Sequence, residues 1–257
     1  MYRLKSTSII LFLILLVNGA CKNFYRKDLS LTVKEYQSKG MPDIDTIWSE
    51  DKLMKAHITL GSIRTKNFRT LPRKDSKKSG AVFSRIVSKE NLSFLNDPSK
   101  SLHDKAYQIQ SVGPFLNEIG RMYTDNFRSE QYYSEELIDI YISEMYARKR
   151  MLELAEEIMN SKEPADMSMQ SGRPAIVNGY VNLITNLIGQ QNNTKAFSGR
   201  ELKRLNREVS RSISENMRYL DSESKQKISN EIKKTGEKSS SRYIRRNFRK
   251  VLKALAN

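Results

Sequence analysis

The stretch PAIVNGYVNLITNLI, residues 174–188, contains no charged residue, although 29% of the chain is charged. Its large side chains recur at helical spacing and cover most of the helix circumference. They are Ile176, Val177, Tyr180, Val181, Ile184, Leu187 and Ile188. A helix that is apolar on most sides belongs in the interior of a protein. With Pro174 at its first position, where proline is favoured, this segment predicts a buried central helix.

The segments before and after this stretch are amphipathic. Ser134 is the predicted N-cap of a helix over residues 134–160, with acidic residues in its first turn, where they complement the helix dipole. Ser198 and Glu201 form a capping box, and the helix that follows has one apolar stripe: Leu202, Leu205, Val209, Ile213, Met217 and Leu220. Three pairs at a spacing of three predict contacts along its surface: Glu201/Arg204, Glu208/Arg211 and Glu215/Arg218.

The remaining segments also favour helices. Helical patterns cover 48–60, 222–235 and 241–255, and residues 81–127 suggest three short helices broken near Pro98 and at Gly113-Pro114. Residues 61–80 are predicted to be a loop, and no segment alternates as a strand would. The fold class is therefore predicted as all-α. We expect an irregular helical bundle, with a helical domain over residues 45–194 and a basic helical segment over residues 195–257.

Positive charge is concentrated in two segments. The chain carries a net charge of +16, and residues 61–80 and 195–257 contribute +6 and +11. Residues 128–163 are acidic, with a net charge of −4. Basic segments of this kind predict anionic partners such as nucleic acid, acidic glycans or lipid head groups.

The last predicted helix has two distinct faces. Arg242, Arg246, Arg249 and Lys253 lie at i, i+4, i+7 and i+11. The opposite face is apolar, with Tyr243, Ile244, Phe248, Val251, Leu252 and Leu255. Two interpretations follow: the apolar face docks on the bundle while the charged face only keeps the protein soluble, or the charged face binds anionic groups.

The N-terminus has the organisation of an export signal. Arg3 and Lys5 precede the unbroken apolar run IILFLILLV, residues 9–17. As a helix this run spans about 14 Å, half of the roughly 30 Å hydrocarbon core of a membrane, so it is too short to cross one. Gly19 and Ala20 follow, and then Cys21, the only cysteine of the chain.

These residues resemble the bacterial lipoprotein signal, in which small residues precede a cysteine that is lipidated and becomes the new N-terminus. The resemblance covers residues 1–21 and implies that residues 1–20 are removed and that Cys21 carries acyl chains. It departs from the pattern at Asn18, where Leu is common. The alternative is an ordinary secretory signal with an incidental thiol at Cys21.

The implied lipoprotein leads to a prediction of location. Residues 21–44 are predicted to be a flexible tether between the lipid and the domain. Because an exported protein is separated from the nucleic acid of the cell, nucleic acid is an unlikely partner. Lys22 and Asn23 lack the Asp that retains some lipoproteins at the inner membrane, which favours the outer membrane in a cell with two membranes.

Sequence patterns for catalysis are absent. His57 and His103 have no grouping of ligands around them that would suit zinc, and no nucleophile elbow or phosphate-binding glycine loop occurs. The adjacent carboxylates Glu135/Glu136 and Glu156/Glu157 are interpreted as solvated helix charges. We predict no enzymatic activity, no cofactor and no metal.

The predicted function is that of a lipid-anchored structural or interaction protein of the bacterial cell envelope. It would contact the membrane through its anchor, and envelope proteins or anionic polymers through its surface. Two alternatives remain open: a binding module for anionic envelope polymers or membrane surfaces, with the basic face of residues 242–253 as its site, and a component of an envelope-spanning secretion or conjugation apparatus.

Overall fold

The computed structural model describes residues 28–124, 132–161 and 167–256. These ranges contain nine α-helices and no strand: α1 (Val33–Ser38), α2 (Glu50–Lys66), α3 (Gly80–Ile86), α4 (Leu102–Thr124), α5 (Ser134–Asn160), α6 (Met167–Gly189), α7 (Gly199–Asn216), α8 (Ser222–Lys238) and α9 (Arg242–Leu255). Short 3-10 helices occur at Phe68–Thr70, Lys89–Asn96, Gln190–Asn192 and Met217–Tyr219. The predicted all-α class is confirmed. The predicted signal peptide and Cys21 lie outside the described residues.

Helix α6 buries its apolar side chains as predicted, but it is not enclosed on all sides, because Asn178, Asn182 and Asn186 form an exposed face. It contacts α5, α7 and α8, and Tyr180, Ile184 and Ile188 are fully inaccessible to solvent. The predicted start of this helix is wrong, because it begins at Met167 and Pro174 lies inside it. Pro174 is exposed, so water can bond the carbonyl group that the proline ring leaves without a partner.

The helices of residues 195–257 pack on those of the preceding domain. Helix α7 contacts α5 and α6, α8 contacts α6, and α9 contacts α7 and α8. Their buried side chains, among them Leu205, Ile228 and Phe248, belong to the same hydrophobic core as those of α5 and α6. Burial of these apolar faces removes them from water, which is the main favourable term in folding.

The capping box of α7 is confirmed. The Ser198 side chain accepts from the Glu201 backbone N–H, and the Glu201 carboxylate accepts from the Ser198 N–H at 2.6 Å. Of the three predicted pairs along this helix, only Glu208/Arg211 forms, at 2.9 Å.

The other two pairs are wrong because neighbouring helices supply nearer partners. Arg204 pairs with Asp139. Glu215 pairs with Lys149 and Arg218 pairs with Glu156, at 2.8 and 3.5 Å.

The start of α5 differs from the prediction. Its N-cap is Tyr133, and Ser134 is the first helical residue. The Ser134 hydroxyl donates to Glu201 Oε1 at 2.6 Å, in a buried contact between α5 and α7. Glu136, predicted to be solvated, is only 3% exposed. Both differences arise because the start of α7 and the basic loop cover the first turn of α5.

Two glycines that were predicted to end helices lie inside them instead. Helix α2 continues through Gly61 to Lys66, and α4 continues through Gly113 and Pro114 to Thr124. A Cβ atom at Gly113 would lie 3.4 Å from the Arg148 guanidinium carbon. At Gly113, therefore, the glycine allows close packing between helices rather than a turn, and the predicted loop over 61–80 begins only after Lys66.

The predicted tether is wrong for residues 28–44. Helix α1 has its own capping box from Thr32 and Glu35. Tyr36 is fully buried and donates from its hydroxyl to the Thr70 carbonyl at 2.5 Å, and Met41 is 4% exposed. The buried Tyr36 side chain removes enough apolar surface from water to hold residues 28–44 on the bundle, although these residues were predicted to be a flexible tether.

A charge placed at the centre of α6 tests this architecture. We expect Ile184→Asp to lower the free energy of unfolding by about 3–5 kcal/mol, because an unpaired charge would be buried. Asn186→Asp adds the same charge on an exposed position of α6 and should change stability little. Thermal and urea unfolding measure both variants, and an unchanged Tm for Ile184→Asp would contradict the burial of this helix.

Candidate functional site

Helix α9 has a buried and an exposed face, as its sequence predicts. The Ser241 side chain caps the helix by accepting from the Ile244 N–H. Ile244, Phe248, Val251 and Leu255 are buried, and Leu252 is partly buried. Tyr243 departs from the prediction, since 40% of it is exposed. The helix is therefore docked on the bundle by four of its six predicted apolar residues, with Leu252 at the edge.

The four predicted anion-binding residues lie together on the exposed face of α9: Arg242, Arg246, Arg249 and Lys253. None of them forms an ion pair with another described residue, and α9 contains no acidic residue. Lys250 is also exposed. Arg245, at the edge of this face, donates to the Ser239 carbonyl at 2.5 Å. The face is thus a continuous positive surface without compensating carboxylates. We call these four residues the α9 basic face.

The cations of α7 provide a contrast. Arg204 is paired with Asp139, and both Arg207 and Arg211 are paired with Glu208, at 3.0 and 2.9 Å. These charges are balanced locally by acids on α5 and α7. Arg200 and Lys203, near the start of α7, are exposed and have no ion pair with a described residue, so α7 combines paired and unpaired cations, whereas α9 contains no acid at all.

A second basic surface comes from the loop between Leu71 and Gly80. The Arg73 guanidinium lies 3.7 Å from Glu136 and 4.5 Å from the centre of the Tyr132 ring, a cation–π geometry. Lys77 and Lys78 are exposed and form no ion pair with a described residue. The loop is thus attached by its first basic residues and presents the last two to solvent.

Asp139 joins the two basic segments of the chain. Its carboxylate lies 2.7 Å from Lys74 Nζ in the loop and also pairs with Arg204 of α7. Sequence reasoning missed this residue, because its partners are 65 residues away in both directions. No spacing rule along one helix connects them.

Glu136 is a buried acidic residue beside the basic loop between Leu71 and Gly80. Burial raises the pKa of its carboxyl group, and the Arg73 guanidinium and the Lys74 backbone N–H, which donates to it at 2.9 Å, oppose that rise. A cleft of about 450 Å³ adjoins it, lined by Asp28, Lys77 and Glu135 among others. The cleft walls carry both signs of charge, so they do not define one ligand chemistry.

The remaining candidate residues do not form a site in the structure. His57 is half-buried, with its ring 6.1 Å from that of Phe115, and His103 is exposed. Glu157 is exposed, and Glu156 is half-buried and paired with Arg218. Within residues 28–124, 132–161 and 167–256, no three His, Cys, Asp or Glu side chains are grouped so that they could hold a metal ion.

Comparison with known proteins gives no relative. No family model, no curated protein and no solved structure matches this chain. Among the helices of the described ranges, none is both long and apolar enough to span a bilayer.

The bridge at Asp139 generates a stability prediction. We expect Asp139→Asn to destabilise the fold by about 1–3 kcal/mol, because Lys74 and Arg204 lose their shared acceptor and repel each other. Added salt should recover part of this loss by screening the repulsion. Glu118→Gln, which removes only the exposed pair with Arg121, should cost less than about 1 kcal/mol. Equal effects in the two variants would show that Asp139 does not join the segments.

Proposed function

We propose that this chain is a lipid-anchored interaction protein of the bacterial cell envelope, and that the α9 basic face binds anionic groups of that envelope, at the membrane surface or on an anionic polymer. The observation that supports this proposal is that four exposed cations on one helix have no carboxylate partner among the residues that the structure describes. The lipid anchor rests on the resemblance of residues 1–21 to a lipoprotein signal.

The strength of such binding follows from the number of charges. Close to an anionic membrane, each basic residue contributes about 1 kcal/mol. Four of them therefore contribute about 4 kcal/mol, or roughly a thousandfold in affinity. The interaction is short-ranged, because the Debye length is about 8 Å at physiological ionic strength. The full contribution therefore requires all four side chains to reach the anionic groups together.

A purely solubilising role explains the exposed face less well. For solubility, cations need only be hydrated, and pairing with nearby acids does not prevent this, as Arg207 and Arg211 show beside Glu208. Four like charges on one helix face instead raise the energy of the free protein through mutual repulsion. An anionic partner removes that repulsion, which favours binding.

The anchor has a direct test in cells. We expect a labelled fatty acid to be incorporated at Cys21, and Cys21→Ser to move the protein from the membrane fraction to the soluble fraction. Membrane fractionation after alkaline washing, with Asn23→Ser as the matched control, measures this. A protein that takes up no label and stays on the membrane in its Cys21→Ser form would refute the proposed lipoprotein.

The α9 basic face has a separate test with protein that lacks residues 1–21. We expect binding to vesicles of phosphatidylglycerol and phosphatidylcholine but not to phosphatidylcholine alone, and to a soluble teichoic acid or lipopolysaccharide if a polymer is the partner. Replacing all four residues with Gln should weaken anionic binding by up to about a thousandfold. Binding should also fade in about 1 M salt, where the Debye length is about 3 Å.

A matched variant controls for net charge. It replaces four scattered exposed cations with Gln: Lys55, Arg173, Arg211 and Lys227. This variant should keep most of the affinity. Equal loss in the two variants would mean that binding follows net charge and not the α9 basic face.

A further inference from the structure

Side-chain contacts show which helix ends lie together. Helices α5 and α7 run parallel, because Ser134 contacts Glu201 near their starts and Lys149 contacts Glu215 further along. Helix α4 runs antiparallel to α5, since Gly120 lies against Ile140 and Gly113 against Arg148. The end of α4 and the starts of α5 and α7 are therefore at the same end of the bundle.

The last helices add to this end. Helix α6 returns antiparallel to α7, with Tyr180 bonded to Ser212. Helix α8 runs parallel to α6, since Lys227 bonds Asn182 and Asn192 bonds the Thr235 carbonyl. Helix α8 therefore finishes, and α9 begins, at the end that holds the starts of α5 and α7.

We call this the Asp28 end, because the first described residue is held there. Ser76 donates to Asp28 at 2.5 Å, and the same loop places Lys74 against Asp139 in the second turn of α5. The exposed cations of the Asp28 end come from both basic segments: Lys77, Lys78, Arg200, Lys203, Lys238 and Arg242.

The opposite end carries both signs of charge. The last turns of α5 and α7 carry Glu157 and Glu215, and α8 begins with Asp221 and Glu223, all of them exposed. The exposed cations Arg173, Arg218 and Lys227 lie at the same end. Helix α5 has 27 residues, so the two ends are separated by about 40 Å. The cluster of exposed cations from both basic segments is thus at the Asp28 end, where the described chain begins, and the opposite end is mixed in charge.

The link to the proposed anchor is short. Since residues 28–44 pack on the bundle, only seven residue steps separate Cys21 from Asp28. Seven residues reach at most about 25 Å when fully extended. A lipid on Cys21 would therefore keep the Asp28 end near the membrane, while the opposite end lies beyond the reach of the link.

We infer that the anchored protein stands with its Asp28 end against the membrane, and that this end binds anionic lipid head groups through Lys77, Lys78, Lys238 and Arg242. The inference rests on the proposed anchor at Cys21. Of the α9 basic face, this orientation brings only Arg242 to the lipid and leaves Arg246, Arg249 and Lys253, about 6–16 Å further along the helix, for the anionic polymer of the proposed function. The short link and the cluster of exposed cations favour the same orientation, because an anionic surface attracts the Asp28 end more strongly than the mixed opposite end.

Lysine footprinting of vesicle-attached protein tests this orientation. Residues 21–257 are coupled through Cys21, the only thiol, to a maleimide lipid, which replaces the cellular modification. Every buried residue of the described core lies between Ser30 and Leu255, so the coupling leaves the core intact. Acetylation of each lysine is followed by mass spectrometry on anionic and on neutral vesicles.

On anionic vesicles, we expect Lys77, Lys78 and Lys238 to react several-fold more slowly than on neutral ones, and Lys227 at the opposite end to be unchanged. In the variant Lys77→Gln/Lys78→Gln, Lys238 should lose much of its protection. The matched variant Arg173→Gln/Lys227→Gln removes the same amount of charge at the other end. In this variant Lys238 should keep its protection.

Protection that is equal at both ends, or the same on neutral and anionic vesicles, would overturn the inferred orientation. Because coupling is chemical, this result does not depend on lipidation in cells. Failure of fatty-acid labelling would refute the proposed anchor and leave the footprint valid. A footprint without selective protection of the Asp28 end would refute the orientation and leave the anchor standing.

Discussion

Burial of the uncharged stretch of helix α6, residues 174–188, determines where the charges of this protein lie. Because α6 is apolar on most sides, α5, α7 and α8 must each turn an apolar face toward it, and their charged side chains must point outward. Helix α9 then covers the outer apolar surface of α7 and α8 with Phe248 and Val251. The basic surface of the molecule is thus a consequence of filling its core.

Charge pairing separates two kinds of basic helix on this surface. Three cations of α7 lie beside acids on the same helix or on α5, as Arg211 does beside Glu208 and Arg204 beside Asp139. Helix α9 contains no acid, and the four cations of its basic face are exposed without an ion pair to a described residue. Pairs of the first kind hold helices in register. The unpaired cations of α9 contribute little to the stability of the fold. They contribute binding free energy only when an anionic partner approaches.

Sequence periodicity was sufficient for the helices and for the outward face of α9, because both depend on spacing within one segment. It failed where distant segments meet. The burial of Glu136 and Tyr36 depends on the loop at 68–74, and the continuation of α4 through Gly113-Pro114 depends on its packing against α5. The meeting of two basic segments at Asp139 could not be predicted, since spacing along one helix does not report contacts 65 residues apart.

The correction at residues 28–44 changes what the basic residues can do in the proposed anchored protein. A long tether would let the bundle rotate freely, and its cations would then have to supply affinity. With a link of at most about 25 Å, the acyl chains supply the affinity and the cations need only select an orientation. Lys77 and Lys78 together contribute about 2 kcal/mol near anionic lipid, a preference of roughly 30-fold. In the proposed anchored protein, that is enough to keep the opposite end, with Glu157 and Glu223, turned away from the membrane and free to meet other envelope components.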